Sequence, residues 1–358
     1  VTVASMLDRL GRPLRDLRIS VTDRCNLRCP YCMPREVFGA DFKFMDRSEL
    51  LTFEEITRVA RIMSAQGVRK IRLTGGEPLL RLGLERLVEM LARVEGIDDI
   101  ALTTNGTALA PLARSLADAG LDRVTVSLDA LEEEVFQSMS DTRLPLARVL
   151  EGIDAARHAG LAPVKINMVV RRGVNDHCVV AMAEHFRGRP EILRFIEYMD
   201  VGESNGWRLD QVVPASEILA AIGRLWPLTP LDASHEGEVA SRWAYRDGEG
   251  EIGVIHSVSQ PFCQGCVRAR LSAEGRLHTC LFAKRGHDLR ALLRGGAEDS
   301  QIASRINEIW TARADRYSEL RSLRDSTSVH DLGERGRAAS ATADRQVAGR
   351  IEMSYIGG

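Results

Sequence analysis

The 358-residue chain has no stretch approaching the ~18–20 consecutive apolar residues of a membrane span, and its opening twenty, VTVASMLDRLGRPLRDLRIS, carry arginines and aspartates where a secretory leader needs an apolar run. Both absences point to a cytoplasmic protein. An excess of one charge is missing as well: 48 lysines and arginines face 50 aspartates and glutamates, a net charge of −2. That balance argues against a general binder of nucleic acid or acidic membranes, so any polyanionic substrate must be met by a local basic cluster. Cysteine is scarce, seven in all, an odd number in two close groups plus one outlier, Cys178. In a reducing compartment such a set suits metal binding or redox chemistry better than a disulfide framework.

What remains is an ordinary globular composition, 44% hydrophobic and 27% charged, long enough for one large α/β domain with an addition. Short runs rich in branched residues, at 16–22, 69–76, 99–105, 122–129, 164–170 and 193–199, alternate with amphipathic stretches at 51–67, 83–96, 109–120, 144–160 and 179–189. This alternation predicts a parallel sheet, curved or closed. Within the strands, Leu17, Ile19 and Val21 oppose Arg18 and Ser20; Ile71 and Leu73 oppose Arg72 and Thr74; Leu102 opposes Thr103; Val124 and Val126 oppose Thr125 and Ser127; Ile166 and Met168 oppose Lys165 and Asn167. One face is therefore apolar and helix-covered, the other polar. The polar face either meets water or lines the lumen of a partial β/α barrel. An ordinary barrel fills its interior with Val, Ile and Leu, so inward arginine and lysine call for an anionic ligand.

The repeat stops after Gly202. Residues 1–202 are read as the barrel, 203–324 as a C-terminal region with short β-like runs and a second cysteine group, and 325–358 as a flexible tail ending in Gly357–Gly358. A flexible run of ~25 residues spans about 25–30 Å, so the terminal glycines can reach back to the barrel.

The first cysteine group, CNLRCPYC, places Cys25, Cys29 and Cys32 at a CxxxCxxC spacing after the first strand. Thiolates suit zinc or iron–sulfur clusters. Structural zinc needs four protein ligands, and only oxygen groups such as Asp23 lie nearby. The second group spaces Cys263, Cys266 and Cys280 as CxxC, thirteen residues, then C. It fits zinc with His256 or His278 as a fourth ligand, or a second cluster. Arg268 and Arg270, directly after Cys266, are of the kind that recognises phosphate. Two structural zinc sites in an interaction protein remain an alternative at this point. Cys178, His177 and His185 have no ligand spacing and read as structural or surface residues.

CxxxCxxC with Tyr31 before its last cysteine, followed by GGEP at 75–78, resembles the radical S-adenosylmethionine superfamily. IRLTGGEPL, LTTNG, VSLDA, KINMVV, RFIEYMDVG, CxxCxRxRLxxxGxLxxCL and a terminal MSYIGG, in that order, resemble within it the family that cyclises GTP at the start of molybdenum cofactor biosynthesis. The resemblance implies a partial (βα)6 TIM-like barrel and a lyase. It would abstract hydrogen from C3′ of GTP and join C3′ to C8, using two [4Fe–4S] clusters and S-adenosylmethionine. It implies that Cys25, Cys29 and Cys32 hold the first cluster and Cys263, Cys266 and Cys280 the second. Tyr31, Gly76, Ser127 and Met199 would contact S-adenosylmethionine; Arg18, Arg72, Thr103, Lys165, Arg268 and Arg270 would contact GTP, the last two also as catalytic groups beside the first triplet. Glu77 stands ready to receive an ammonium, and Glu197 shares the parity of Met199 as an inward acid. Also implied are a homodimer, an unidentified electron donor, delivery of the product to cyclic pyranopterin monophosphate synthase, and a diglycine tail that enters the site. No nucleic-acid or membrane partner is expected.

Overall fold

The computed structural model describes residues 6–235, 237–325 and 350–357. All six strands expected from the repeat are present: β1 (Asp16–Ser20), β2 (Lys70–Thr74), β3 (Asp99–Thr104), β4 (Arg123–Ser127), β5 (Lys165–Val170) and β6 (Ile192–Glu197). They pair in sequence order and all in parallel. The crossovers are α1 (Phe53–Ala65), α2 (Leu84–Ala92), α3 (Ala113–Asp118), α4 (Glu133–Ser140), α5 (Ala147–His158) and α6 (Val179–Phe186). Helix α4 goes beyond the sequence reading. It buries only Phe136, Met139 and Ser140, too short an apolar stripe to stand out from a polar run.

Helix α1 shows how local chemistry sets these units. Thr52 Oγ1 accepts from Glu55 N at 3.1 Å while Glu55 Oε2 accepts from Thr52 N at 2.8 Å, a reciprocal cap at the helix start. Ile56, Val59, Ala60 and Met63 then recur at helical spacing, at most 1% exposed, against the face of the sheet formed by Leu17, Ile19, Ile71 and Leu73, also at most 1% exposed. Each large side chain so buried contributes about 1.5–3 kcal/mol.

The C-terminal region continues the same sheet. After α7 (Ala215–Gly223) come β7 (Leu228–Leu231), β8 (Ser241–Tyr245), β9 (Glu251–Ile255), β10 (Arg268–Leu271), β11 (Arg276–His278) and β12 (His287–Asp288). Strand β9 pairs in parallel with β6 and β10 in parallel with β1, so the barrel gains one parallel strand at each edge. Strands β7 and β8 extend the β9 side, and β11 and β12 the β10 side, all antiparallel. The segment 256–267 therefore leaves the C-terminal end of one edge strand and enters the N-terminal end of the other, running down the open side of the barrel. Helices α8 (Arg290–Arg294), α9 (Asp299–Thr311) and α10 (Tyr317–Asp325) follow, with Trp310 of α9 1% exposed in the main core. The last element, α11 (Met353–Ile356), returns to the barrel. The tether expected over 325–350 lies outside the described residues apart from its two ends.

Candidate active site

A single cavity is lined by every residue that the family resemblance implies for cofactor, cluster or substrate: Cys25, Cys29, Tyr31, Cys32, Gly76, Ser127 and Met199; Arg18, Arg72, Thr103 and Lys165; Cys263, Cys266, Arg268, Arg270 and Cys280. The first triplet follows β1, at the C-terminal end of the strands. Cys32 N and Met33 N both donate to Cys29 O at 2.9 Å, a tight turn that brings the last two cysteines of the triplet together. The second triplet enters from below, because Cys263 and Cys266 precede β10 and Cys280 follows β11, which runs antiparallel to it. The triplets thus sit at opposite ends of the lumen, and along β2 alone Lys70 and Thr74 are ~13 Å apart.

Neither triplet has the geometry of a zinc site. Tetrahedral zinc with ~2.3 Å bonds needs sulfurs about 3.8 Å apart. Among the described residues the only His, Cys, Asp or Glu trio with donor atoms all within 4.8 Å of one another is Glu132, His177 and Cys178, outside the cavity. His256 instead pairs with Ser241 Oγ at 2.8 Å, and His278 is buried opposite Arg270 in the β10–β11 ladder. The thiols of both triplets line the cavity, and thiols are the donor type that iron–sulfur clusters take. Burial pushes Cys25 up to about 11, raises Cys29 and Cys32, and pushes Cys280 up to about 12. A bound cation is what would make these thiols ligating thiolates. Cys266 differs: burial opposes ionisation, but Arg268 and Arg313 outweigh it and bring the thiol down to about 6.

The glycine pair ending β2 serves close approach, first of all to the chain itself. A Cβ on Gly75, whose φ is +153°, would stand 2.6 Å from Thr22 O, and one on Gly76 2.4 Å from Arg24 O. Gly76 N and Glu77 N donate to Thr22 O and Arg24 O at 2.9 and 2.8 Å, pinning the start of the cysteine loop.

Two acids differ from expectation. Glu77 is not free for an ammonium: its oxygens accept from Leu79 N at 3.0 Å, Thr104 Oγ1 at 2.7 Å and Asn105 N at 2.7 Å, and it is 1% exposed. It clasps the ends of β2 and β3, and burial holds it at about 7 against those three donors. Glu197 shares the parity of Leu193 and Phe195, not of the lumen side chain Arg194. Its carboxylate accepts from Ala215 N at 2.7 Å, Val258 N at 2.7 Å and Ser259 N at 2.8 Å, fixing the start of α7 to the loop after β9. Its parity does not carry to Met199, because the strand ends at Glu197 and alternation ends with it.

The lumen is basic. Arg72, 9% exposed, donates from Nη1 to Thr103 Oγ1 at 3.1 Å and Thr125 Oγ1 at 3.2 Å. Among the described residues, Arg18 Nε is buried without a hydrogen-bond partner. Burial and neighbouring cations bring Lys165 down to about 8, Arg270 to about 10 and Arg194 to about 9. Asp16 lines the same cavity and Lys70 pairs with Asp99 at 3.1 Å, but the cations outnumber these acids, an arrangement that favours an anion. Lys70 and Arg194 also line the cavity and went unmarked in the sequence. Lys70 shares strand parity with Arg72, a signal that motif matching alone passes over.

The tail reaches this site. Glu352 accepts from Glu203 N at 3.0 Å, Ser204 N at 3.1 Å and Ser204 Oγ at 2.9 Å; Arg350 Nη1 donates to Asp200 Oδ2 and to Tyr317 Oη, both at 2.6 Å. Met353 and Ser354 line the cavity, Ile356 is fully buried, and Arg270 Nη1 donates to Gly357 O. Gly358 lies outside the described residues.

Residues 19–186 match the Radical SAM superfamily and residues 192–319 match Molybdenum Cofactor Synthesis C. The chain is 58% identical to a GTP 3′,8-cyclase of Acidothermus cellulolyticus, covering 98% of each. It is 52% identical to one of Xanthomonas axonopodis pv. citri, covering 89% of this chain and 94% of the relative, and 45% identical to one of Staphylococcus epidermidis, covering 98% of each. In fold it is similar to SuiB of Streptococcus suis bound to S-adenosylmethionine, with a TM-score of 0.58 at 13% identity over 81% of this chain and 67% of the other.

Proposed function

Because the chain belongs to the GTP 3′,8-cyclase family of radical S-adenosylmethionine enzymes, we propose a division of labour across its one cavity. The reaction is conversion of GTP to 3′,8-cyclo-7,8-dihydro-GTP, the first step of molybdenum cofactor biosynthesis. We class it as a lyase. Cys25, Cys29 and Cys32 hold the [4Fe–4S] cluster of the superfamily. When bound, that cluster supplies the electron that cleaves S-adenosylmethionine to the radical that takes hydrogen from C3′.

The remaining work belongs to the side chains. Tyr31, Gly76, Ser127 and Met199 surround S-adenosylmethionine at the C-terminal end of the strands. Tyr31 is oriented by its hydroxyl, which donates to Asp129 Oδ2 at 2.7 Å. Arg18, Arg72 and Lys165, with Lys70 and Arg194, hold the triphosphate deep in the lumen by direct charge, and Thr103 by its hydroxyl. Arg268 and Arg270 stand over the nucleotide beside a second cluster on Cys263, Cys266 and Cys280. Fixing both ends of GTP places its ribose between the triplets, where the radical arises, and this positioning is the protein's main contribution to rate. Residues 1–202 thus supply the radical half, 203–324 the auxiliary cluster, and 325–358 bring in the terminal glycines.

The observation that carries the reading is that both triplets and a counterion-poor set of buried cations open on one lumen. Family membership supports the further assignments of a homodimer, an unidentified electron donor, delivery to cyclic pyranopterin monophosphate synthase, and a cytoplasmic setting. Among the described residues no helix is long and apolar enough to cross a membrane. The test is to give reduced, cluster-loaded protein S-adenosylmethionine and GTP deuterated at C3′, then weigh the 5′-deoxyadenosine formed. Deuterium in it is expected; unlabelled 5′-deoxyadenosine formed without need of GTP sinks the substrate assignment.

A further inference from the structure

We propose that Arg313 is the positioning residue of the auxiliary cluster, seating Cys266 and setting the cluster's reduction potential through an N–H···S hydrogen bond. This rests on the reading of Cys263, Cys266 and Cys280 as a second cluster. Arg313 follows α9, and its side chain is 1% exposed. Its Nε donates to Thr279 O at 3.0 Å, its Nη1 to Cys266 O at 2.7 Å and Asp8 Oδ2 at 3.2 Å, and its Nη2 to Cys266 Sγ at 3.1 Å. The guanidinium lies 4.5 Å from the centroid of Trp310, whose Nε1 donates to Arg12 O at 3.1 Å. Arg12 in turn bonds Asp8 Oδ2 at 2.6 Å and Cys263 O at 2.7 Å. One fully buried carboxylate thus holds two guanidiniums, and these grip the backbone at Cys263, at Cys266 and at the residue before Cys280.

The sulfurs are not treated alike. Cys266 Sγ takes Arg313 and, from the cavity side at 3.7 Å, Arg268. Cys280 Sγ accepts from Phe282 N at 3.4 Å. In the barrel triplet, Cys25 Sγ accepts from Leu27 N at 3.4 Å and Asn105 Nδ2 at 3.9 Å, neutral donors both. Reduction adds negative charge to a cluster and its sulfurs, and a donor aimed at a sulfur favours the reduced form. Asp8, and Asp315 at 3.6 Å from Arg313 Nε, offset the guanidinium charge, so the directed bond to sulfur is the part that acts. With Arg313 in place the auxiliary cluster is therefore more easily reduced than it would be without that bond.

The test uses the full-length chain carrying C25A, C29A and C32A, in which the auxiliary triplet alone can hold a cluster, with R313Q or R313K added. Iron and sulfide content and an EPR-monitored redox titration are the readouts. If the parent triple variant holds no cluster, the second-cluster reading fails, and the role of Arg313 falls with it. With the parent loaded, R313Q is expected to shift the reduction equilibrium about tenfold toward the oxidised form, ~59 mV for a one-electron couple, and R313K to recover part of that shift. In the complementary chain carrying C263A, C266A and C280A, R313Q leaves the barrel cluster's potential in place. Loss of iron in R313Q but not R313K supports the seating role. An unchanged potential, an equal shift of both clusters, or loss of iron in both Arg313 variants overturns the proposal.

Discussion

Replacing Gly357 by alanine should undock the tail. Its φ of +71° with ψ of +117° lies outside even the left-handed helical well and costs a residue with a Cβ about 1–3 kcal/mol. The added carbon would also stand 2.0 Å from Thr74 Cγ2 and 2.9 Å from Thr74 Oγ1. Thr74 is 3% exposed at the end of β2 and cannot swing away, so the backbone of the tail must lift. Lifting frees Ile356, fully buried when docked, at about 1.5–3 kcal/mol. Strain and clash raise the docked state while the burial of Ile356 opposes release, so the φ strain alone is a shift of about tenfold toward the undocked state and the clash adds to it. Hydrogen exchange across 351–357 reads this directly, with kcat/KM as the functional readout. Adding T74S removes the methyl, the nearest contact, and leaves the φ term with the contact to Oγ at 2.9 Å, so protection should return in part in the double variant. Wild-type protection in G357A would refute the argument. Failure of T74S to restore any would show that the clash is not the cause.

Lys165, pulled down to about 8 by burial and by Arg194, Arg123, Lys70 and Arg72, should regain its ordinary basicity beside a triphosphate. Binding of GTP then takes up a proton from pH about 8 upward, and affinity falls as pH rises through 8; calorimetry in buffers of different ionisation enthalpy should see the uptake near pH 8 lost in K165M, leaving that of Arg194 and Arg270 at higher pH. Asp200, 5% exposed, binds Tyr317, Arg321 and Arg350 together. D200N leaves two guanidiniums short of their counter-charge, so a loss of about 3–5 kcal/mol in denaturant unfolding is expected. Glu77 is held near 7 chiefly by burial, so the folded state binds its proton more tightly than the unfolded one. Its contribution to stability is present below its ordinary range near 4.5 and is lost as pH rises through 7. In E77Q that downward slope of stability with pH should disappear, while the amide, set against three donors, costs about 1–3 kcal/mol. Thermal melts from pH 4 to 8 check both parts.

Arg18, Arg72, Thr103, Ser127 and Lys165 were legible as lumen residues because strand alternation is a local property, fixed within five or six residues. Lys70 carries the same signal and went unread only because no motif marks it. Glu197 was misread where that rule stops holding: Met199 lies beyond the end of β6, so its direction says nothing about a residue inside the strand. Glu77 was misjudged for another reason. A carboxylate beside a cofactor pocket invites a ligand, but three donors from β3 and the turn after β2 had already taken it. Asp8, Arg12 and Arg313 carry no sequence signal at all, since their meeting spans some 300 residues of chain.

By itself the sequence determined the six parallel strands of the repeat and five of their six crossover helices, the polar face of the first five strands, and that two groups of three thiols need something to bind. All of these follow from periodicity and side-chain chemistry over a few residues. Only the tertiary structure decided that β9 joins β6 and β10 joins β1, because the edge on which a strand docks depends on pairing between residues far apart in the chain. That choice carries the second triplet to the far end of the lumen from the first, and turns a polar sheet face into a basic chamber between two thiol sites.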